Sequence, residues 1–263
     1  MSKVQVLVTT MHASDTSKYR EMNLQTDAVI ANQTDRDAYE ETEENGCRAQ
    51  LVSTSTRGAS RNRNIALAHA SPEAEYLMFS DDDLLFNEGY EKLILEEFER
   101  HPEAEAIKFN LHDISTTRKI SMKRITRFEK ATRRSMSASG VWALVVRQDV
   151  LRRHHLYFNE FFGPGTENFC GEDTIFLMEM LKKKIKLYRS PVDIAGIDQS
   201  ESSWFRGFDE RYFITTGKVL HTIFPRLAPL LAVRSAFRFS RRKNCSMRFF
   251  GILRCYWKGI RDK

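Results

Sequence analysis

The sequence predicts an α/β protein, a mixed central sheet flanked by helices, followed by a basic helical C-terminal extension. Three observations carry this prediction. Short apolar runs of strand length alternate with stretches of helical periodicity through the body of the chain. One run, Glu75–Phe86 (EYLMFSDDDLLF), passes from Tyr76-Leu77-Met78-Phe79 straight into Asp81, Asp82 and Asp83. From Arg226 onward the chain is basic and patterned as helix. The acidic cluster falls beyond the carboxyl end of its strand, where open α/β sheets place their ligands. Adjacent carboxylates repel one another and their ionised forms are costly to desolvate. A divalent cation relieves both problems, and hard ions such as Mg²⁺ or Mn²⁺ take carboxylate and phosphate oxygens alike. The competing reading is a solvated acidic turn ahead of a helix starting near Asn87.

A chain of 263 residues, 41% hydrophobic with 18 Phe, can bury a sizeable core. Cys47, Cys170, Cys245 and Cys255 lack metal-ligand spacing, which predicts reduced thiols of an intracellular protein. No leader is visible in MSKVQVLVTT, and no apolar run reaches membrane-spanning length. The net charge of +6 is unevenly distributed. Residues 226–263 hold 11 Lys or Arg and a single acid, so the remainder, with 30 basic and 34 acidic residues, carries −4. Such asymmetry points to a polyanionic or membrane-surface partner for the tail.

In chain order, Val4–Val8 is an apolar strand ending in Thr9, Thr10, Met11 and His12. Ser14–Gln25 is polar and helix-compatible. Ala28–Ala31 is a second strand; the Asn32-Gln33 amides that follow suit either a base edge or a turn. Arg48–Ser53 is a third strand. Gly58 and Ser60 precede a helical pattern, and free N–H groups there, with Arg57 and Arg61 beside them, suit a phosphate. Neither a Gly-x-Gly-x-x-Gly nor a Walker-type Gly-Lys-Ser/Thr occurs, which removes support from the common dinucleotide and P-loop readings.

These residues together resemble the GT-A glycosyltransferases, in particular family 2 of bacterial capsular and exopolysaccharide synthesis. The match consists of a strand with a Thr-rich end (Val4–Thr10), a Gly58…Arg61-Asn62 helix start, and a strand ending in Asp81-Asp82-Asp83, a DXD-type motif. The order and spacing match over roughly the first hundred residues, which is more specific than any one piece. The resemblance implies a Rossmann-like nucleotide-binding GT-A domain. It implies that Thr9, Thr10, Asn32 and Gln33 line the nucleotide, that Asp81 contacts the nucleoside side, and that Asp83, with Asp81, ligates Mn²⁺ or Mg²⁺. His12, Arg57, Gly58, Arg61, Asn62 and Asp82 complete the expected donor set.

Further along, Glu88–Arg100 is an amphipathic helix, Ala104–Asn110 a strand, Arg118–Phe128 an edge strand or hairpin, and Ser137–Arg147 another strand. Gly140 and Trp142 suit an acceptor sugar or the core. Gly171–Lys184 is a helix with Glu172 and Asp173 in its first turn, where acids also complement the dipole. By the resemblance, Asp173 is the general base of an inverting enzyme, with Glu172 beside it; a sugar hydroxyl needs such a base. After the strand Lys186–Tyr188, Asp198–Gly207 with Trp204 reads as a loop closing over the donor. Asp198, or more distantly His221, is the candidate third metal ligand.

The expected division is a GT-A domain over 1–224 and an amphipathic extension over 225–263. In the extension, Arg234, Arg238, Arg241 and Arg242 form a basic stripe, and Phe249, Phe250, Leu253, Tyr256, Trp257 and Ile260 an apolar one. This combination predicts docking on an anionic membrane. The alternatives are packing on the catalytic body or a second subunit, and nucleic-acid binding; no nucleic-acid partner is expected. The predicted activity is hexosyl transfer from a nucleotide-sugar, a UDP-sugar, to a glycan acceptor such as a polyprenyl-diphosphate-linked one. The predicted setting is cell-surface polysaccharide synthesis at the cytoplasmic face of the cell membrane, and a homo-oligomer is among the expected assemblies. The other classes are a GT-A-like sugar nucleotidyltransferase, whose Gly-rich basic signature Val8–Asp15 lacks, and a non-enzymatic polyanion binder, which leaves both acidic stations unexplained.

Overall fold

A computed structural model describes residues 2–116, 124–137, 139–198, 200 and 207–262. At its centre lies β1 (Val4–Met11), whose Val4, Val6, Leu7 and Val8 are all buried, as a strand covered on both faces requires. Parallel to it run β2 (Ala28–Gln33) on one side and β5 (Tyr76–Asp81) on the other. β4 (Cys47–Thr54) extends the parallel set beyond β2, and β3 (Ala38–Glu44) closes that edge antiparallel to β4. β3 is polar and acidic, as befits an edge strand that must not pair further. Its lack of apolar alternation hides it from a periodicity reading. The Asn45-Gly46 turn, with φ of 53° and 77°, is the hairpin signal that marks it.

The other half of the sheet is mixed. β9 (Leu144–Arg147) is antiparallel to β5 and to β7 (Ala106–Asp113), and β7 is parallel to β10 (Leu187–Ile197). β6 (Leu84–Phe86), formed directly after the acidic cluster, and β8 (Glu129–Lys130) both pair antiparallel with β10. The strand expected over Ser137–Arg147 is therefore shorter: Ala143 takes φ 55° and Leu144 N donates to Val141 O, so the preceding residues turn instead of laddering. β10 is longer than expected, running past Pro191 through register shifts between Arg189 and Ala195 that absorb the missing donor. The helix expected over Ser14–Gln25 shrinks to the single turn α1 (Lys18–Glu21), with Asp15 accepting from Ser17 N and Tyr19, Met22 and Leu24 turned into the core. Most of the hairpin expected over Arg118–Phe128 lies outside the described residues.

Helices cover both faces. On one, α3 (Tyr90–Arg100) buries Ile94 and Phe98 against Val4, Val6, Val8 and Met78. On the other, α2 (Ala59–Ala68) and α6 (Glu172–Lys182) pack Ala66, Phe176, Leu177 and Met180 against Leu7, Leu77 and Phe79. Alternate residues of β1 and β5 thus serve opposite layers. Two short helices, α4 (Arg133–Met136) and α5 (Gln148–Arg153), flank β9.

The C-terminal helices α7 (Glu210–Ile223), α8 (Ala228–Phe239) and α9 (Phe249–Arg261) share a core of their own. It centres on Phe213, Phe239, Ile252 and Tyr256 and begins within α7, ahead of residue 225. Of the expected apolar stripe of α9, Tyr256 and Ile260 are buried here beside Ile252 and Cys255, Phe249, Leu253 and Trp257 are half-buried, and Phe250 is 81% exposed. α8 ends at Phe239, so Arg241 and Arg242 lie past the helix and do not continue the stripe of Arg234 and Arg238. Arg241 instead covers the Phe237 ring at 3.8 Å, and Arg242 the Phe239 ring at 4.6 Å. Among the described residues no helix is long and apolar enough to cross a membrane.

Candidate active site

The strand order β4-β2-β1-β5 means that the chain winds outward from β1 and then returns to its other side, so a crevice opens at the carboxyl ends of β1 and β5. There Thr9 is in register with Asp81. Thr9 Oγ1 donates to Asp81 Oδ1 at 3.1 Å, and Thr10 Oγ1 to Asp82 Oδ2 at 2.5 Å. The Thr-rich end of β1 therefore grips the acidic cluster.

α2 begins at Gly58, whose φ of 118° is one that a side chain rarely tolerates. Its first turn is pinned by Asn62, whose amide donates to Thr10 O and Ala31 O at 3.1 and 2.9 Å. This places Arg63, only 5% exposed, in the crevice. Arg63 Nη2 donates to Asp81 Oδ1 at 2.8 Å, while Nη1 lies 2.9 Å from Asp173 Oδ1 and 3.6 Å from Glu172 Oε1. α6, which begins after Gly171, is anchored by Phe176, stacked on Phe158 at 4.2 Å and edge-on to Phe79 at 5.6 Å. Its first turn thereby faces β5 across the crevice. Val141 N donates to Asp173 Oδ2 at 3.2 Å, and the buried Lys108 of β7 donates to the Trp142 carbonyl next to it.

The electrostatics follow from packing this many charges over an aromatic floor. Burial pushes the Glu172 carboxyl up to about 7, with Asp173 adding to the shift and Arg63 opposing it. Asp173 is raised by burial too, while Arg63 and the Val141 N–H favour its ionised form. Burial works against the Arg63 charge, but Asp173, Asp81 and Glu172 outweigh it and hold its pKa above the ordinary value. Burial brings Lys108 down to about 7.

Asp83 is different in kind. Burial, then Asp81 and Asp82, raise it to about 7, with Asp198 contributing. Its Oδ1 is buried without a partner among the described residues, and its carbonyl accepts from Asp198 N at 3.0 Å. An orphaned carboxylate oxygen amid the like charges of Asp81, Asp82 and Asp198 fits Mg²⁺ or Mn²⁺. Among the described residues no group of three or more His, Cys, Asp or Glu forms a ready-made cage.

The family model described as Glycosyl transferase family 2 matches residues 27–158, half of the chain and the part that contains α2 and the acidic cluster. The chain belongs to glycosyltransferase family 2. Its architecture is that of S. aureus TarS: against TarS 1-349 in complex with UDP-GlcNAc the TM-score is 0.64 at 15% identity, covering 92% of this chain and 74% of that one. Against a longer S. aureus TarS chain the TM-score is 0.62 at 15% identity, and this chain, 92% covered, spans 44% of that one. No curated protein matches the sequence. The protein is a glycosyltransferase with the GT-A fold.

In this family 2 enzyme the crevice brings together Thr9, Thr10, Asp81, Asp82, Asp83, Glu172 and Asp173. Other expected residues are committed elsewhere. Asn32 is fully buried; its amide donates to Ala13 O and Ser53 Oγ and accepts from Ala13 N, so it braces the exit of β1 and presents no edge to a base. Gln33 Oε1 accepts from Gly58 N at 2.7 Å and Pro164 O from Ala59 N at 2.9 Å, so two N–H groups of the expected phosphate cradle are already used. Arg61 is exposed and paired with Glu160 at 3.0 Å, Arg57 is exposed, and His12 is exposed with φ 57°. Trp142 packs partly against the core, its ring over Lys108 at 4.8 Å and so close above Gly140 that a Cβ there would lie 1.4 Å from it. Trp204 lies outside the described residues. Sequence reasoning missed Arg63 and Lys108. For Arg63 a signal existed: Ser60, Arg63 and Ala66 share one helix face, and such small neighbours mark the face turned to the sheet. Lys108 carries no local signal.

Proposed function

We propose that the protein is a metal-dependent, inverting hexosyltransferase that moves a sugar from a nucleotide-sugar, a UDP-sugar, to a glycan acceptor in cell-surface polysaccharide synthesis. One observation carries the reading. Arg63 binds carboxylates from both acidic stations, so the end of β5 and the start of α6 are two walls of one cleft. The similarity of fold to TarS structures holding UDP or UDP-GlcNAc supports the choice of donor.

Asp173 takes the proton from the acceptor hydroxyl as that oxygen bonds to the anomeric carbon; the bond to the departing diphosphate breaks on the opposite face, which inverts the centre. Burial raises Asp173 toward the strength a base needs, and Arg63 and Val141 N hold its orientation. Glu172, one residue before it, orients the acceptor. Thr9 and Thr10 fix Asp81 and Asp82 at the donor end. Asp83 and Asp81, with Asp198 nearby, would hold Mn²⁺ or Mg²⁺. Such an ion supplies charge neutralisation for the leaving diphosphate. A lipid-linked acceptor would bring the enzyme to the cytoplasmic face of a membrane, where the basic extension meets anionic lipid.

The test is turnover across a panel of nucleotide-sugars, with product configuration read by NMR. Asp173→Asn is expected to keep donor binding and to lose about 10²–10⁴ in transfer rate. A product of retained configuration would reject the mechanism even if Asp173 proved essential. Asp83→Ala is expected to abolish Mn²⁺-dependent UDP binding in calorimetry with no change in the melting of the unliganded protein.

A further inference from the structure

Helix α8 is built inside out for a helix in water. Its buried face is alanine until Phe239 closes it at the C-terminal end, with Ala228, Ala232 and Ala236 fully covered by α7 and α9. Four large apolar residues point the other way: Leu227, at the N-terminal boundary of the helix, is 53% exposed, Leu230 68%, Val233 41% and Phe237 50%. On a 3.6-residue period these four fall on one outward stripe, with Arg226 and Arg234 on the same side. Residues 226–243 hold six cations and no acid.

We infer that this outward face of α8, and not the apolar stripe of α9, is the surface on which the enzyme docks, and that its partner is an anionic phospholipid interface. The inference rests on the proposal that the extension meets a membrane, and it names the face. Three partners compete for an apolar face rimmed with arginine. A second copy docking by the same face would bring its arginines to a face with no acid among residues 226–243 to pair with them. A nucleic acid would satisfy the arginines but leave the aliphatic stripe in water. A bilayer surface takes both, with Leu and Phe at the acyl boundary and the arginines reaching headgroup phosphates. Arg241, held over Phe237, is ready to supply one such contact.

The experiment uses the full chain with vesicles of phosphatidylglycerol and phosphatidylethanolamine, and with phosphatidylcholine vesicles as the uncharged control. Wild type is expected to sediment with the anionic vesicles at low salt and to be released as salt rises. Leu230→Glu/Phe237→Glu is expected to lower the bound fraction at least about tenfold, because two large apolar side chains no longer leave water. Its melting temperature should be unchanged, since both positions are exposed, and Phe250→Glu at the start of α9 should bind as wild type. If the double variant binds like wild type while Phe250→Glu does not, the α8 assignment falls and the membrane proposal stands. If wild type does not bind anionic vesicles, both fall. A wild-type dimer that the double variant converts to monomer would make the partner a second copy and overturn the lipid assignment. Turnover on a soluble acceptor, expected to be equal in all variants, tests the catalytic reading separately.

Discussion

Arg63 lies 2.8 Å from Asp81 and 2.9 Å from Asp173, almost out of reach of water, so its loss would leave three carboxylates crowded over an aromatic floor. Breaking a buried pair by removing one partner costs about 3–5 kcal/mol, because the charges left behind are uncompensated. Arg63→Met is therefore expected to lower unfolding stability by about that amount in urea. In an Asp81→Asn/Asp173→Asn background the same change should cost far less; an equal cost in both backgrounds would show that Arg63 acts through packing alone. Lys108 makes a prediction about pH. Its pKa falls from 10.5 to about 7 on folding, so between those values the unfolded chain holds a proton that the folded one has released. Stability from this group is then present above the unfolded value and is lost as pH falls toward about 7. Denaturation of wild type and Lys108→Met near the two ends of that window should show the wild type gaining on the variant at the alkaline end.

Two backbone approaches lock α7 to α9. A Cβ on Gly259 would lie 2.0 Å from Ile214 O, and one on Gly217 2.5 Å from Tyr256 O, in both cases against backbone that cannot rotate away. Gly259→Ala is expected to cost about 1–3 kcal/mol in thermal unfolding, the range for overpacking a filled interface. Gly251, also in α9, meets nothing nearer than Met247 Cε at 3.7 Å. Gly251→Ala should be neutral or stabilise by up to about 1 kcal/mol through helix propensity. Equal behaviour of the two variants would mean that the helices are not in this contact.

The three C-terminal helices form one packing unit, and that unit begins before residue 225. A chain ending at Phe224 would keep α7 but uncover Phe213, which is fully buried between α8 and α9. Such a chain is expected to melt lower than the full one and to bind a hydrophobic dye. Unchanged melting would mean that the extension is an independent appendage. Charge divides along the same line, with −4 on the remainder and all the positive excess in residues 226–263, so salt should weaken surface attachment more than it weakens the fold.

The sequence by itself determined the features that are local. An apolar run ending in three acids, a threonine-ended strand before it and an acidic helix start after it are each written in a few consecutive residues, and they define the two walls of the cleft. The Asn45-Gly46 turn was equally local and marks a strand that periodicity passes over. Only the tertiary structure decided which side chains the walls share. Arg63 and Arg61 are two residues apart, yet one neutralises the cleft and the other pairs with Glu160 outside it, because α2 turns only one face to the sheet. Lys108 reaches the site from β7, a neighbour in the sheet and not in the chain. In the tail, helical spacing alone could not distinguish an apolar stripe that faces a partner helix from one that faces outward. The small residues of α7, α8 and α9 settle that question, because they allow the backbones to approach closely and leave Leu230, Val233 and Phe237 of α8 on the outside.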